Sequence, residues 1–215
     1  AATAADVTPA PGANGATNHA ANSQMNGVAD IITRAPHAMD NDSNGRLLAV
    51  DLGLRTGVAL YDRSGTLLRY EQLYAPSIAH LGDIAEALIE DGDVTHLAME
   101  GRDYAARQEW EAAAERVARR RGYEYPAQII DVSPEQWRYA LLLKRERSDG
   151  KLAKTSARQI ARQIVSDFGK TEHSGAFATD AAEAVLVGYF ALREMGWVTR
   201  EPPVRRYTNG NVVLK

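Results

Sequence analysis

Four carboxylates in this sequence stand where they could hold a divalent cation. Asp51 and Glu100 each follow directly on a short apolar run. Asp180 and Glu183 are three residues apart, which places them on one face of the first turn of a helix. Carboxylates brought together repel one another unless a proton or a cation joins them. A ligand set made only of oxygen favours Mg²⁺ or Mn²⁺, so these acids predict a metal site.

The chemistry expected of such a site is hydrolysis of a phosphodiester. Two ions about 4 Å apart can clamp the attacking water and the leaving oxygen, which is the chemistry of a nuclease. Each acid also has a purely structural interpretation. Asp51 can be a turn residue, and Asp180 with Glu183 can complement the positive end of a helix. The hydrolytic interpretation therefore requires that the three segments meet in space.

A basic segment provides a candidate surface for nucleic acid. Between Arg138 and Arg162 there are eight bases and two acids. On the helix predicted from 151, four bases spaced three, four and four residues apart form one stripe: Lys151, Lys154, Arg158 and Arg162. Three more precede it in a predicted loop: Lys144, Arg145 and Arg147. Such a stripe suits a phosphate backbone and predicts salt-dependent binding, whereas a solvated helix face is the structural alternative.

The elements that must position these residues are those of an α/β domain. Apolar runs and glycine-marked turns predict three antiparallel strands first, and buried strands then alternate with helices. The predicted strands are 47–50, 56–61, 66–73, 95–99 and 127–132, and the predicted helices are 78–89, 104–121, 151–168 and 178–195, with a short helical start at Ser133 and Pro134. This order predicts a mixed sheet with helices on both faces. If the first and fourth strands are parallel neighbours, Asp51 and Glu100 converge at one edge.

Composition limits the alternatives. The 215 residues carry a net charge of −3 and include no cysteine, which excludes disulfides, thiolate metal sites and a cysteine nucleophile. No apolar run is long enough to span a membrane, so no membrane association is expected. Residues 1–45 are rich in alanine and asparagine and contain no aromatic residue, which predicts a disordered tail. Residues 46–199 form the predicted domain, and 200–215 are a C-terminal extension.

The motifs around the acids resemble those of the RuvC-type Holliday junction resolvases of the RNase H-like superfamily. Similar segments are Leu48–Leu60, Leu97–Glu100 and Asp180–Ala184, and the resemblance extends over roughly residues 46–196. It implies a five-stranded RNase H-like sheet, in which three antiparallel strands are followed by two parallel ones. It also implies a homodimer that cuts four-way, branched double-stranded DNA with two Mg²⁺ ions per active site, Mn²⁺ being a possible substitute.

The resemblance also implies roles for individual residues. Asp51, Glu100 and Asp180 match the catalytic acids, and Glu183 stands where the family usually has a second aspartate or a histidine. Lys154 matches a lysine that lies near the metals, which implies contact with the scissile phosphate. Tyr104 matches an aromatic residue that stacks on bases. One departure is Leu52, which replaces the proline common after the first aspartate.

Other functions remain open at the level of the sequence. YqgF-type RNA-processing proteins share the opening Asp-x-Gly pattern, and a noncatalytic nucleic-acid-binding module on the same fold is a second alternative. A fragment of an actin-like or sugar-kinase ATPase would open in the same way, but it needs a second glycine-rich phosphate loop, which the sequence lacks. The expected location is intracellular and DNA-associated, either in a bacterial cytoplasm or in an organelle nucleoid.

Overall fold

The computed structural model describes residues 45–169 and 177–199 and the backbone of two short strands near the C-terminus. The strands are β1 (Arg46–Asp51), β2 (Arg55–Asp62), β3 (Leu67–Tyr74), β4 (His96–Glu100), β5 (Gln128–Val132), β6 (Arg206–Thr208) and β7 (Asn211–Val213). The helices are α1 (Ile78–Asp91), α2 (Tyr104–Arg121), α3 (Pro134–Leu141), α4 (Gly150–Phe168) and α5 (Thr179–Glu194), with a 3-10 helix at Lys144–Arg147. The predicted tail, apart from Gly45, and most of the predicted C-terminal extension lie outside the described residues.

The first five strands form one mixed sheet, in the order β3-β2-β1-β4-β5. Strand β2 is antiparallel to both β1 and β3, whereas β4 is parallel to β1 and β5 is parallel to β4. Three antiparallel strands are therefore followed by two parallel ones, which confirms the predicted RNase H-like sheet. Strand β3 lies at one edge of the sheet and β5 at the other.

The sheet is buried on both faces because successive side chains of a strand point to opposite sides. Leu47 and Ala49 of β1 pack in a cluster with residues of α3, α4 and α5. Leu48 and Val50 belong to a second cluster, with residues of α1 and α2. Burial on both faces explains why β1 is a continuous apolar run rather than an alternating one. The prediction of helices on both faces is confirmed.

Helix α5 is the most deeply buried helix among the described residues. Every residue from Ala181 to Leu192 is buried, because α5 packs directly on β1 and β2 and is covered by α4. Gly188 makes this packing close, since a Cβ there would overlap the ring of Tyr61 and lie 3.0 Å from Ala49. The hydroxyl of Tyr61 donates to the carbonyl of Val185 over 2.7 Å. The middle of α5 is thereby held against the sheet.

Local signals in the sequence account for how the helices begin. Helix α3 begins with Ser133 as its cap and Pro134 as its first residue, which confirms the predicted helical start. Ser133 and Gln136 also form a capping box there. The predicted loop that holds Lys144, Arg145 and Arg147 contains the 3-10 helix. The backbone N–H of Leu143, just before this helix, donates a hydrogen bond to the side chain of Glu146 over 2.9 Å. No helix in the described ranges has the length and apolar character needed to cross a membrane.

Candidate metal centre

Three carboxylates from three separate segments meet at one edge of the sheet. The parallel register of β1 and β4 sets Asp51 directly beside Glu100, and the N-terminal part of α5 brings Glu183 to the same edge. One oxygen from each of the three carboxylates lies within 4.8 Å of the other two. Glu100 is 5% exposed and Glu183 is 9% exposed, whereas Asp51 is half-buried. The predicted convergence of Asp51 and Glu100 is what the structure shows.

Asp180 lies beside this group of three but is not a member of it. Its carboxylate accepts a hydrogen bond from the side-chain amide of Gln72 on β3. Aspartate is also shorter than glutamate, and Asp180 lies almost one turn nearer to the start of α5. Glu183 therefore reaches the Asp51 and Glu100 pair, whereas Asp180 is held by the edge strand. The spacing of three residues correctly predicted a shared helix face, but the four acids do not form one cluster.

Burial and mutual repulsion shift the acidity of the group. Burial, followed by the charges of Glu100, Glu183 and Asp180, raises the pKa of Asp51 to about 8. Burial and the charge of Glu183 raise the pKa of Glu100, and burial likewise raises the pKa of Glu183. All three shifts have the same sign because burial, the largest cause of each, disfavours the ionised form of a carboxyl group. A positive charge among the three groups would favour that form.

Positive side chains approach the group from α3 and α4. A guanidinium nitrogen of Arg138 lies 3.7 Å from Oε1 of Glu183. The charges of Arg138, Lys154 and Arg158 oppose the effect of burial on the pKa of Glu183. Arg138 was counted in the basic segment of the sequence but was not predicted to lie at the site. The signal available was its position five residues after Ser133, on a helix that starts where β5 ends.

The other residues predicted to contact nucleic acid lie on the surface. Lys151, Lys154 and Arg162 on α4 are exposed, and Arg158 is half-buried. Lys144 and Arg145 are exposed as well, and Arg147 is half-buried with its guanidinium 4.3 Å from the centroid of the Tyr139 ring. Tyr104, the first residue of α2, is 70% exposed. Six of these eight side chains are exposed and two are half-buried, and the contacts of all eight with nucleic acid stay a prediction.

The residues of the group fit a hard divalent cation. All three side chains offer carboxylate oxygens, which Mg²⁺ and Mn²⁺ prefer. Oε1 of Glu183 is buried and has no hydrogen-bond partner, although buried polar atoms are normally satisfied. A cation held by Asp51, Glu100 and Glu183 would satisfy this oxygen and favour the ionised form of the three carboxyl groups, which burial disfavours. The arrangement is therefore suited to metal-assisted chemistry.

The raised pKa of Asp51 predicts how the stability of the metal-free protein depends on pH. The pKa of Asp51 is about 8 in the folded protein, whereas it is near 4 in the unfolded chain. Between these two values only the folded protein keeps the proton. The stabilisation from this proton is therefore complete below about pH 4 and is lost as the pH rises through 8. In EDTA, we expect Asp51→Asn to melt above the wild type at pH 8.5, by about 5 °C or more, and the gap to close towards pH 5.

Differential scanning calorimetry from pH 5 to pH 9 measures this gap. Asp91→Asn is the matched control, because Asp91 is exposed at the end of α1, and its melting temperature should stay close to that of the wild type. Mn²⁺ at pH 8.5 should raise the melting temperature of the wild type and have little effect on Asp51→Asn. An Asp51→Asn protein that melts below the wild type at pH 8.5 would show that the carboxylate does not strain the metal-free site.

Comparisons with known proteins give likenesses of structure only. No protein-family model matches the chain, and no curated protein matches it significantly. RuvC of T. thermophilus in complex with a Holliday junction substrate is 14% identical, with a TM-score of 0.46 over 71% of this chain and 97% of that chain. The yeast mitochondrial Holliday junction resolvase Ydc2 is 14% identical, with a TM-score of 0.49 over 72% of this chain and 82% of that chain.

A more distant structural similarity involves a viral protein. The nuclease domain of the large terminase subunit gp2 of bacterial virus Sf6 is 15% identical, with a TM-score of 0.34 over 80% of this chain and 78% of that chain.

The order and direction of the strands in this chain define it as an α/β protein with an RNase H-like sheet. A more specific function has to follow from its own residues.

Proposed function

We propose that this protein is a metal-dependent nuclease that hydrolyses phosphodiesters of branched double-stranded DNA. The observation that carries the proposal is the group formed by Asp51, Glu100 and Glu183, in which oxygens from three separate segments lie within 4.8 Å of one another. Gathering buried carboxylates is costly unless positive charge balances them, so a fold that maintains them indicates a use. Divalent cations bound there would supply charge stabilisation at the attacking and leaving oxygens.

The roles of the residues follow from where they lie. Asp51, Glu100 and Glu183 hold the cation. The register of β1 with β4 and the packing of α5 on the sheet keep their oxygens in place. A second ion needs a further carboxylate, and Asp180 is the candidate because its charge already acts on Asp51. Lys154 extends from an exposed position on α4, and its charge reaches Glu183. We assign to Lys154 the role of contacting the phosphate that is cleaved.

Four-way junctions are the proposed substrate. The resemblance of the acidic motifs to the RuvC-type resolvases supports this choice, and so do the basic stripe of α4 and the exposed Tyr104, since stacking on an aromatic ring suits unpaired bases. Symmetrical cutting of a junction requires two active sites, so we propose a homodimer. An intracellular, DNA-associated location follows from this substrate.

A cleavage assay with three labelled substrates tests the proposal. Mg²⁺ is titrated into the protein with a four-way junction, a linear duplex of the same sequence, or an RNA–DNA hybrid. We expect cutting of the junction at symmetrical positions and little cutting of the duplex. Cutting of the hybrid alone would instead indicate a ribonuclease, and binding without cleavage of any substrate would indicate a noncatalytic module.

The basic stripe predicts the salt dependence of binding. Each phosphate contact contributes about 0.9 to the slope of log K against log salt concentration for duplex DNA. Lys154→Gln should lower this slope by about 0.9, and Lys151→Gln, Lys154→Gln and Arg162→Gln combined should lower it by up to about 3. Fluorescence anisotropy with a junction in Ca²⁺ at several NaCl concentrations measures the slope. Arg119→Gln, an exposed arginine on α2, is the control and should leave it unchanged. An unaltered slope in the triple variant would place the DNA on another face.

A further inference from the structure

Arg138 is held next to the carboxylate group without bonding to it. Its nearest guanidinium nitrogen is 3.7 Å from Oε1 of Glu183, which is longer than a hydrogen bond. The guanidinium carbon lies 5.0 Å from the ring centroid of Trp137, and Trp137 is fully buried. A cation–π contact at this distance to a fixed ring restrains the position of the arginine head. The interaction between Arg138 and Glu183 is therefore one of charge.

The charge of Arg138 lies beside the carboxylate group. Its guanidinium nitrogen is 3.7 Å from Oε1 of Glu183, and Asp51 and Glu100 each offer an oxygen within 4.8 Å of an oxygen of Glu183. Arg138 is thus a counter-charge for the group while no cation is bound. A divalent cation on the same carboxylates would be a second positive charge within a few ångströms of the guanidinium, and the two would repel each other across a poorly screened space.

Arg138 is also accessible from outside. Its side chain is 34% exposed, whereas that of Glu183 is 12% exposed. A guanidinium offers several donors in a rigid plane that matches phosphate as well as carboxylate. The distance to Glu183 is too long for a hydrogen bond. A phosphate oxygen could therefore accept hydrogen bonds from these donors without breaking a hydrogen bond between Arg138 and Glu183.

We propose that Arg138 exchanges partners when substrate binds. In the free protein it is the counter-charge of Glu183, and in the complex it contacts a phosphate of the nucleic acid. The inference rests on the proposed cation site and adds to it a coupling between cation and phosphate. A bound phosphate neutralises Arg138 and so removes its repulsion of the cation. By linkage, a bound cation strengthens phosphate binding by the same factor.

Cation affinity in the absence of nucleic acid provides the first test. Mn²⁺ is titrated calorimetrically into the full chain at pH 8.5, where protonation of the carboxylates competes least. We expect Arg138→Gln to bind Mn²⁺ about 3–10-fold more tightly than the wild type, because it removes one nearby positive charge. Arg138→Lys keeps the charge, and Arg119→Gln removes a charge elsewhere, so both should stay within about twofold of the wild type.

Coupling to DNA provides the second test. Junction affinity is measured in Ca²⁺ and in EDTA over a range of NaCl concentrations. In the wild type, Ca²⁺ should strengthen binding, and Arg138→Gln should reduce this gain and lower the salt slope by about 0.9. If Arg138→Gln does not fold, Arg138→Met, whose side chain can still pack on Trp137, replaces it in both measurements.

The outcomes separate this inference from the proposed function. If Arg138→Gln binds Mn²⁺ no more tightly than the wild type, Arg138 is not the counter-charge of the carboxylate group. If its salt slope is unchanged, Arg138 does not contact a phosphate. In both cases Mn²⁺ binding by the wild type would still support the nuclease. A wild-type protein that binds no Mn²⁺ would instead overturn the cation site on which the inference rests.

Discussion

Asp51→Asn and Glu100→Gln are each expected to lower the rate of Mg²⁺-dependent cleavage by about a thousandfold or more. Both substitutions keep the shape of the side chain but remove a negative oxygen ligand from the candidate site. Loss of a single electrostatic contact at a reacting centre already costs about 10²–10³ in rate, and a weakened cation site adds to that loss. Neither variant should lose its fold, because each removes a charge that burial disfavours in the metal-free protein.

Single-turnover cleavage of a labelled four-way junction measures the effect. Junction affinity in Ca²⁺ and the melting temperature in EDTA are measured on the same preparations, so that loss of cleavage can be separated from loss of binding or of folding. Asp91→Asn serves again as the control and should cleave like the wild type. If Asp51→Asn or Glu100→Gln cleaves at the wild-type rate, the carboxylate group does not perform the hydrolysis.

Much of the fold could be predicted because strand β1 is buried on both faces. Such a strand must be apolar without interruption, so the position at which the run stops marks the edge of the sheet. Asp51 and Glu100 both stand at that point, and parallel pairing of β1 with β4 makes them neighbours. The convergence of these two acids is therefore encoded in two short segments and in the order of the strands.

The rest of the site depends on packing that sequence spacing does not encode. A separation of three residues places Asp180 and Glu183 on one helix face, but it does not say which of them reaches the β1–β4 pair. That is decided by where the first turn of α5 rests on the sheet and by Gln72 on the edge strand. Arg138 meets Glu183 only because α3 packs against α5. Contacts of this kind join residues far apart in the chain and follow from the complete fold.

Gly57 allows the first turn of α5 to pack closely on β2. In β2 it pairs with Asp51 on one side and with Gln72 on the other, so it lies between two residues at the site edge. A Cβ at position 57 would overlap the carbonyl oxygen of Asp180 and lie 2.8 Å from the backbone nitrogen of Ala181. Both obstacles are backbone atoms of the first turn of α5. They cannot rotate away as the end of a side chain could.

Gly57→Ala is therefore expected to damage both stability and activity. Forcing a methyl group into this contact should lower the free energy of unfolding by about 1–3 kcal/mol. The first turn of α5 must move away from β2, and Glu183 moves with it. Because a displacement of about 1 Å at a catalytic centre can cost 10²-fold in rate, cleavage should fall by about that factor or more. Urea denaturation and single-turnover cleavage measure the two effects.

The control for Gly57→Ala is the same substitution at Gly150, where a Cβ would meet nothing within 4 Å. Gly150 is the first residue of α4, and alanine there restricts the unfolded chain, so Gly150→Ala should be neutral or slightly stabilising. The added methyl group is the same in both variants, and only its surroundings differ. Partial recovery of cleavage by Gly57→Ala at high Mn²⁺ would fit a displaced Glu183, because mass action offsets weakened cation binding. A Gly57→Ala protein with wild-type stability and cleavage would mean that α5 does not rest on β2 as described, and the position of Glu183 beside Asp51 would lose its structural basis.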